Sequence, residues 1–397
     1  MSANLPALAA RARRTLIALA ILALVALIAV VVAAVGAPGT SASPVGKMYW
    51  TDAGTDKIQR ANLDGSGVED LVTTGLISPA GIALDVAGGK MYWTDEGTDK
   101  IQRANLDGTG VEDVVTGLNR PTRIALDITG GKMYWADLGT GKIQRSNLDG
   151  SGVEDLVMPV DCGAPGNVVG CPVGVDLDVS GGKLYWTVLL GGVQRANLDG
   201  SAVEILVTGL VIPTDIALDV GGTKMYWSHS IPSTPTLQFG KIQRANFDGS
   251  GVQVLANKGL GSNPGGIALD VDKGKVYWTD RGFHKIQRAD LDGSGVEDLV
   301  TTGIIGPTGI ALDIPEPPPD ATPKPTRTAT PTPTPTPTPI PVVVGGIVSD
   351  LDGAALPQET AQSRSRNAGL LAGVAAAIAI SVVVALGGAA RGARRRR

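Results

Sequence analysis

Residues able to carry out chemistry are few in this chain. Among its 397 residues are two histidines, His229 and His284, and two cysteines, Cys162 and Cys171. No order of serine, histidine and aspartate indicates a nucleophilic triad, and no cluster of histidines and carboxylates has the spacing of metal ligands. The sequence therefore predicts no catalytic residue and no metal centre, and it favours a protein that is not an enzyme.

The two cysteines lie close together in the segment DCGAPGNVVGC. Outside the cytoplasm, a pair at this spacing is expected to oxidise and close a small loop. A zinc site would need more ligands than Asp161, the one obvious carboxylate nearby. We therefore expect a disulfide between Cys162 and Cys171.

Charged residues recur at fixed positions in three short motifs. One aspartate ends Tyr-Trp-Thr-Asp, an arginine ends Ile-Gln-Arg, and another aspartate ends Ile-Ala-Leu-Asp. Pairing of the first aspartate with the arginine is one hypothesis, although Val188 and His229 replace that aspartate in copies that keep Arg195 and Arg244. The Ile-Ala-Leu-Asp aspartate could line a channel and bind calcium, but a repeated aspartate beside a turn is more often structural. No cofactor is predicted.

These motifs belong to a longer repeat, GKMYWTDxGxxKIQRANLDGSGVEDLV, which begins at Gly46. All six tryptophans and all six tyrosines lie in it. A period of about 40 to 50 residues, with short strands and glycine-containing turns, is typical of a propeller blade and not of a helical solenoid. Regular copies of Tyr and Trp within one strand indicate packing residues.

The repeat motif is intact at residues 49–52, 92–95 and 277–280 and varies in the other three copies. These units resemble the YWTD, or low-density lipoprotein receptor class B, repeats. The resemblance covers residues 46–314 and implies a six-bladed β-propeller that binds protein ligands. Members of that family commonly carry epidermal-growth-factor-like modules. This sequence has no cysteine-rich module, so the partners of the receptors are not implied.

Each unit predicts four strands, GIALDV, KMYWTD, KIQRANL and VEDLV, joined at Gly-Gly or Asp-Gly turns. The repeat starts with the second of these strands, so the first blade lacks its inner strand. We expect Ile310–Asp313 to supply it beside Lys47–Asp52, which would close the ring with strands from both ends. The fold class predicted for residues 45–314 is all-β, a six-bladed propeller.

Departures from the repeat fall on one predicted face. Connections between the second and third strands and between blades share this face, and they contain the insertions Met158–Pro172, Ser228–Gly240 and Ala256–Asn263. Apolar side chains gathered there suit recognition of a protein or a glycan, with neutral variation of the loops as the alternative. The candidate ligand-binding residues, over blades four to six, are Leu189, Leu190, His229, Phe239, Arg281, Phe283 and His284.

Both ends of the chain carry uncharged apolar segments. Residues 15–36 follow several arginines, so residues 1–44 are predicted to be a signal peptide or a signal anchor. Residues 368–390 are predicted to be a transmembrane helix, because the basic tail 391–397 follows at once. Residues 315–367 form a predicted stalk and spacer rich in proline and threonine.

This arrangement predicts a propeller outside the plasma membrane, and the style of its stalk and basic tail suggests a bacterial cell surface. The chain has a net charge of −4, and its acidic surplus lies in the predicted propeller, which argues against nucleic acid as a partner. The predicted function is a cell-surface module for recognition of an extracellular protein or glycan. A passive structural spacer is the alternative, and a propeller hydrolase, lactonase or lyase is less favoured.

Overall fold

The computed structural model describes residues 46–158, 170–234 and 237–315. The predicted signal or anchor segment, the transmembrane helix, the basic tail, Cys162 and all but the first residue of the predicted stalk lie outside these residues. Within the described part, no helix is long and apolar enough to cross a membrane.

The described residues contain six antiparallel sheets of four strands each, as predicted. In chain order the strands of blades one to three are β1 (Lys47–Asp52), β2 (Lys57–Asn62), β3 (Glu69–Val72), β4 (Pro79–Asp85), β5 (Lys90–Asp95), β6 (Lys100–Asn105), β7 (Glu112–Thr116), β8 (Pro121–Asp127), β9 (Lys132–Asp137), β10 (Lys142–Asn147) and β11 (Glu154–Val157). The strands of blades four to six are β12 (Pro172–Asp178), β13 (Lys183–Val188), β14 (Gly192–Asn197), β15 (Glu204–Thr208), β16 (Ile212–Asp219), β17 (Lys224–Thr234), β18 (Leu237–Asn246), β19 (Gln253–Leu260), β20 (Pro264–Asp270), β21 (Lys275–Asp280) and β22 (Lys285–Asp290), then β23 (Glu297–Val300). The last strand, β24 (Pro307–Asp313), returns to blade one.

The ring closes as the repeat count predicts. Strand β24 pairs antiparallel with β1, with Trp50 opposite Ile310 and Lys47 opposite Asp313. Blade one therefore has the order β24-β1-β2-β3, while every other blade is built from four consecutive strands. The inner strands β24, β4, β8, β12, β16 and β20 contact one another in sequence around the axis.

The motif aromatics form the packing between blades, which confirms their predicted structural role. Tyr49 of blade one lies in one cluster with Ile82 and Trp93 of blade two. Trp50 shares a cluster with Tyr277 of blade six. All six tryptophans are almost completely buried, and the indole N–H of Trp50 donates to Oε1 of Gln59 at 3.0 Å. Each blade thus buries its tyrosine against one neighbour and its tryptophan against the other.

The two ends of the propeller have different loops. Turns between the first and second strands and between the third and fourth strands are nearly uniform, and we call that end the uniform face. The opposite end, which carries the second-to-third turns and the connections between blades, is the insertion face. On the uniform face, Gly65 has φ of +87° and a Cβ there would lie 2.2 Å from the carbonyl oxygen of Leu299. Only glycine allows that close contact between neighbouring blades.

Candidate functional site

The aspartate of the motif holds two loops of the insertion face. Oδ1 of Asp95 accepts the backbone N–H of Thr98 at 3.0 Å in the following turn. Oδ2 of Asp95 accepts the N–H of Ile77 at 2.9 Å in the connection from blade one. Burial raises the pKa of Asp95, although these N–H donors oppose that shift. The aspartate is therefore committed to backbone groups and is not available to a ligand.

The hypothesis that this aspartate pairs with the arginine of Ile-Gln-Arg is wrong. Arg60 instead forms an ion pair with Glu69 at 3.0 Å on the neighbouring outer strand. Its Nη1 donates to the carbonyl oxygen of Leu106 in blade two at 2.9 Å, and its guanidinium lies 5.9 Å from the centre of the Tyr49 ring. The arginine reaches away from the insertion face, so it cannot meet an aspartate that lies there.

The Ile-Ala-Leu-Asp aspartates bond to their own turns on the uniform face. Oδ1 of Asp85 accepts the N–H of Gly88 at 2.7 Å, and Asp127 bonds Gly130 in the same way. Among the described residues, no three His, Cys, Asp or Glu side chains converge as a metal site would require. The suggested use of these aspartates as calcium ligands has no geometric support in this part of the chain.

His229 takes over the aspartate's role in blade five. It is buried, and its Nε2 accepts the backbone N–H of Val211 at 3.2 Å. Its Nδ1 lies 2.9 Å from Oε1 of Gln243, so Nδ1 carries the proton in this arrangement. Burial lowers the pKa of His229, which favours the neutral ring that both bonds need. His229 therefore does not lie on the predicted recognition surface.

Phe239 and Phe283 lie on the two sides of one connection, as their clustering in the sequence predicts. Phe239 pairs with Leu260 across β18 and β19, and the ring of Phe283 lies close to Gly261, the next residue. Both rings remain partly exposed, at 37% and 41%. They form an apolar cluster between blades five and six on the insertion face.

The other predicted residues lie in the turns between the second and third strands of blades four and six. The backbone N–H of Leu189 donates to the carbonyl of Cys171, and that of Leu190 donates to the carbonyl of Val211. Both leucines are half-buried, and Arg281 and His284 are exposed. Cys171 itself is buried and is not a free thiol, but Cys162 is not described, so the proposed pairing remains a prediction.

Arg281 lies within electrostatic range of acidic groups in blades one and two. Glu96 and Asp52 lie within electrostatic range of its guanidinium, and so does the cation Arg123. Glu96 is itself paired with Arg120 at 2.7 Å. The mouth of the channel therefore has a charged sector over blades six, one and two.

Two exposed isoleucines were missed by the sequence interpretation. Ile77 and Ile305 occupy equivalent connections before blades two and one, and each is 56% exposed. Their loops have the regular length, so the search for insertions passed over them. A Cβ on Gly97 or Gly54 would clash with these connections, so both isoleucines are held against the second-to-third turns. The apolar surface on the insertion face therefore continues beyond blades four to six.

The central channel contains a second group of unusual residues. A cavity of about 310 Å³ is lined by the inner strands of all six blades. At the third position of the inner strand, counted from its proline, four blades have glycine, whereas blade three has Arg123 and blade five has Asp215. At the fifth position, five blades have alanine and blade four has Asp176. Arg123, Asp176 and Asp215 are thus charged residues at positions where the remaining blades have glycine or alanine.

These three residues bridge the inner strands. Arg123 donates to the carbonyl oxygens of Ala80 at 3.1 Å and Thr308 at 3.3 Å, and its Nε forms an ion pair with Asp215 at 3.0 Å. Asp215 accepts the N–H of Ile267 in blade six at 3.2 Å. These contacts connect blades one, two, three, five and six across the axis.

Asp176 connects the remaining blade. Its Oδ1 accepts the N–H of Leu177, and its Oδ2 accepts the N–H of Leu218 in blade five at 2.9 Å. Burial raises the pKa of Asp176 to about 7, and the nearby charge of Asp215 adds to that shift. Burial also raises the pKa of Asp215, while Arg123 opposes it. Because both carboxylates accept backbone N–H groups of the next blade, their geometry indicates a structural role in holding the inner strands together.

Comparison with known proteins agrees with this geometry. The family model for the low-density lipoprotein receptor repeat class B matches residues 46–86, 89–128, 131–166 and 274–314. The repeats in these four segments match the class B type. The matched segments lie in blades one, two, three and six, whereas blades four and five, in which the motif varies, fall outside them.

Relatives extend the similarity only over a short stretch. Low-density lipoprotein receptor-related protein 4 of Homo sapiens is 55% identical over 38 residues, which are 10% of this chain and 2% of that protein. The protein of the same name from Mus musculus gives the same values. A chain in the crystal structure of a nidogen/laminin complex has a TM-score of 0.59 and 21% identity, and the match covers 68% of this chain and 99% of that one. At that identity, the structural match shows the fold alone.

Proposed function

We propose that this chain is a cell-surface binding module that recognises an extracellular protein through the insertion face of its propeller. Class B repeats occur in the receptor-related relatives, and the propeller of similar fold comes from a complex between two proteins. Both are consistent with a protein partner. The apolar segments near both ends of the sequence support placing the propeller on the outer side of a membrane. The predicted stalk would then connect the propeller to the predicted transmembrane helix 368–390.

The observation that carries the proposal is the set of exposed apolar side chains on the insertion face. Phe239 and Phe283 each occur in one blade, and Ile77 and Ile305 share a position at which the connections to the other four blades have different residues. Exposed valines on the uniform face, such as Val86 and Val179, recur in the corresponding turn of nearly every blade. Blade-specific apolar side chains beside a charged mouth match the anatomy of a recognition surface better than repeated ones do.

The central channel serves as scaffold in this proposal. Its charged residues bond backbone groups of the inner strands, and among the described residues no three His, Cys, Asp or Glu side chains converge as a metal site would require. A glycan partner would use the same face through Arg281 and the aromatic side chains. It is therefore an outcome of the test below and not a separate site.

The test is capture of partners by the full chain, purified in mild detergent, from an extract of its own cell surface. The test variant changes Ile77, Phe239, Phe283 and Ile305 to serine. The matched control changes four valines of the uniform face that are similarly exposed, Val86, Val179, Val220 and Val271, to serine. We expect the test variant to lose at least about tenfold in affinity for the captured protein, because central apolar contacts dominate binding energy.

Three results would count against the proposal. Equal loss in both variants would mean that binding does not depend on the insertion face. Capture of polysaccharide without protein would assign the face to a glycan. If no molecule is captured by the unchanged chain, the spacer function is supported instead.

A further inference from the structure

Four blades neutralise the cations at their outer edge in the same way. In blade one, Lys57 pairs with Asp70 at 2.7 Å and Arg60 pairs with Glu69 at 3.0 Å. The corresponding pairs in blades two, three and six are Lys100–Asp113, Arg103–Glu112, Lys142–Asp155, Arg145–Glu154, Lys285–Asp298 and Arg288–Glu297. Each carboxylate belongs to the fourth, outermost strand.

Blade five keeps both cations and has lost both carboxylates. Gln253 replaces the glutamate, and its Oε1 accepts a hydrogen bond from Nε of Arg244 at 3.0 Å. The partner of Arg244 on the outer strand is therefore a neutral amide. Val254 replaces the aspartate and is 50% exposed. Among the described residues, neither Lys241 nor Arg244 has a carboxylate within ion-pair distance. Blade five therefore has two cations that no carboxylate of its own outer strand pairs, although Asp292 of blade six lies within electrostatic range of Arg244.

Blade four departs differently and supplies a comparison. It retains the ion pair between Arg195 and Glu204. Gly192 stands where other blades have the lysine, and Ile205 stands where they have the aspartate. The cation and the carboxylate have been lost together, so the edge of blade four is exposed and apolar but carries no unpaired cation.

The outer strand of blade five is also unusually long. Strand β19 has eight residues, whereas the other five outer strands have four or five. It is paired with β18 on one side and lies at the end of its sheet. Proteins normally protect such edges by keeping them short or charged. Strand β19 is long, and its exposed Val254 stands where four other blades have an aspartate. Its one charged residue is Lys258, which opposes pairing with a basic strand but not with an acidic one, so the edge is a template for an added acidic strand.

We propose that β19 of blade five is a docking edge for an extended, acidic segment of a partner protein, which adds to the sheet as a fifth strand. The cations and Val254 lie toward one end of β19, whereas the other end, at Leu260, borders Phe239 of the insertion-face site. Successive side chains of an added strand point to opposite faces of the sheet. Lys241 and Arg244 also lie on opposite faces of the blade, since they are three residues apart in β18. Acidic side chains at successive positions of the partner could therefore meet one cation each.

The test uses a fluorescent octapeptide in which pairs of glutamates alternate with pairs of valines, Glu-Glu-Val-Val-Glu-Glu-Val-Val, so that acidic side chains lie on both faces of the added strand. It is titrated against the full chain in mild detergent at low salt and followed by anisotropy. The test variant is Q253E/V254D, which gives blade five the two carboxylates that four other blades already have. We expect saturable binding that falls at least about tenfold in this variant, because its carboxylates pair with Lys241 and Arg244 and repel the peptide. The variant should unfold no more easily than the unchanged chain, since the same ion pairs form in the other blades.

Matched controls show whether the peptide binds at this edge and through its backbone. I205D places a carboxylate at the equivalent position of blade four and should leave binding unchanged, as should I77S/I305S, whose positions lie in the connections before blades two and one. A peptide with lysine in place of glutamate should not bind. A glutamate–valine peptide that is N-methylated at alternate residues should bind at least about tenfold more weakly, because one edge of its backbone cannot donate.

The proposal is overturned if the glutamate–valine peptide fails to saturate, if Q253E/V254D binds it as well as the unchanged chain does, or if the lysine peptide binds equally. Self-association that Q253E/V254D abolishes would assign the edge to a second copy of the chain, and this also would overturn it.

Discussion

At the scale of single residues, the motif aspartate recurs in most blades, whereas each charged residue of the channel occurs in one blade only. Asp95 is a repeated residue that bonds two loops of the insertion face. Arg123, Asp176 and Asp215 are unique residues that bond backbone groups across the axis. The first kind of residue maintains each blade and its connection, whereas the second fixes the blades relative to one another. Each kind leads to a different prediction.

Arg123 and Asp215 should behave as a coupled pair. Replacing Arg123 with glycine, the residue of four other blades, leaves Asp215 buried without its cation and should lower the free energy of unfolding by about 3–5 kcal/mol. D215G leaves Arg123 buried without its carboxylate partner and should lower the free energy of unfolding by a similar amount. The double variant should lose about 2 kcal/mol less than the sum of the two single losses. Urea unfolding of all four chains measures this difference, and simple additivity would show that the two side chains stabilise the channel independently.

Asp176 should make the stability of the propeller depend on pH near neutrality. Its pKa is about 7 in the folded chain and 3.8 in the reference state. The folded state therefore binds this proton more tightly, and the resulting stabilisation is full below the unfolded pKa and is lost as the pH rises through about 7.

The comparison is with Asp176→Asn, which cannot titrate. From pH 5 to pH 8, the stability of the unchanged chain should fall relative to that of the variant. Asp176 lines the channel cavity and is only half-buried, so we expect screening to limit the relative change to about 1–2 kcal/mol. His229 acts with the opposite sign, because its pKa is lowered, but it is present in both chains and cancels. Parallel pH profiles of the two chains would show that Asp176 is not the titrating group.

At the scale of elements, the motif threonine joins neighbouring inner strands. Oγ1 of Thr94 accepts the N–H of Gly81 in its own blade at 2.7 Å. It donates to the carbonyl oxygen of Thr122 in the next blade at 2.7 Å. The equivalent Thr51 donates to Ala80 in blade two. The sequence interpretation placed this residue in a strand but could not assign it a bond between blades, since its partner lies 28 residues away.

Thr94→Val should lower the free energy of unfolding by about 2–4 kcal/mol. Valine has nearly the same shape, but it leaves a buried N–H and a buried carbonyl without partners. Thr94→Ser, which retains the hydroxyl, is the control and should cost less. Thermal unfolding of the two variants decides between a hydrogen-bond role and a packing role. If serine costs more than valine, the methyl group matters and the bond does not.

At the scale of the whole molecule, the ring depends on the pairing of β24 with β1. A chain that ends at residue 305 lacks β24 and leaves the edge of β1 unpaired. We expect backbone amides of β1 to exchange hydrogen at least about a hundredfold faster than in the full chain, because a strand with an open edge unfolds locally. Hydrogen exchange measured by mass spectrometry on peptides from β1 tests this, with peptides from β9 as the distant control. Unchanged protection in β1 would mean that the ring does not require closure.

The strands of the blades could be predicted from the sequence because each strand pattern recurs six times. Trp and Tyr were correctly interpreted as packing residues, and the closing strand followed from counting motifs. The site was predicted less completely. His229 is predicted as a recognition residue because it lies in the insertion Ser228–Gly240, although it occupies the position where the repeat has a structural aspartate. Ile77 and Ile305 were missed since their loops have regular length. A column-by-column alignment of the inner strands would have found Arg123, Asp176 and Asp215.

Recognition of a protein by one face of the propeller is best tested by hydrogen exchange of the full chain. Exchange is measured with and without the captured partner and is followed peptide by peptide. We predict slower exchange in the insertion-face connections that contain Ile77, Gly261 and Ile305, and no change in the uniform-face turns that contain Gly65 and Gly88. Protection confined to the uniform face, with exchange unchanged around Ile77, Gly261 and Ile305, would contradict recognition through the insertion face.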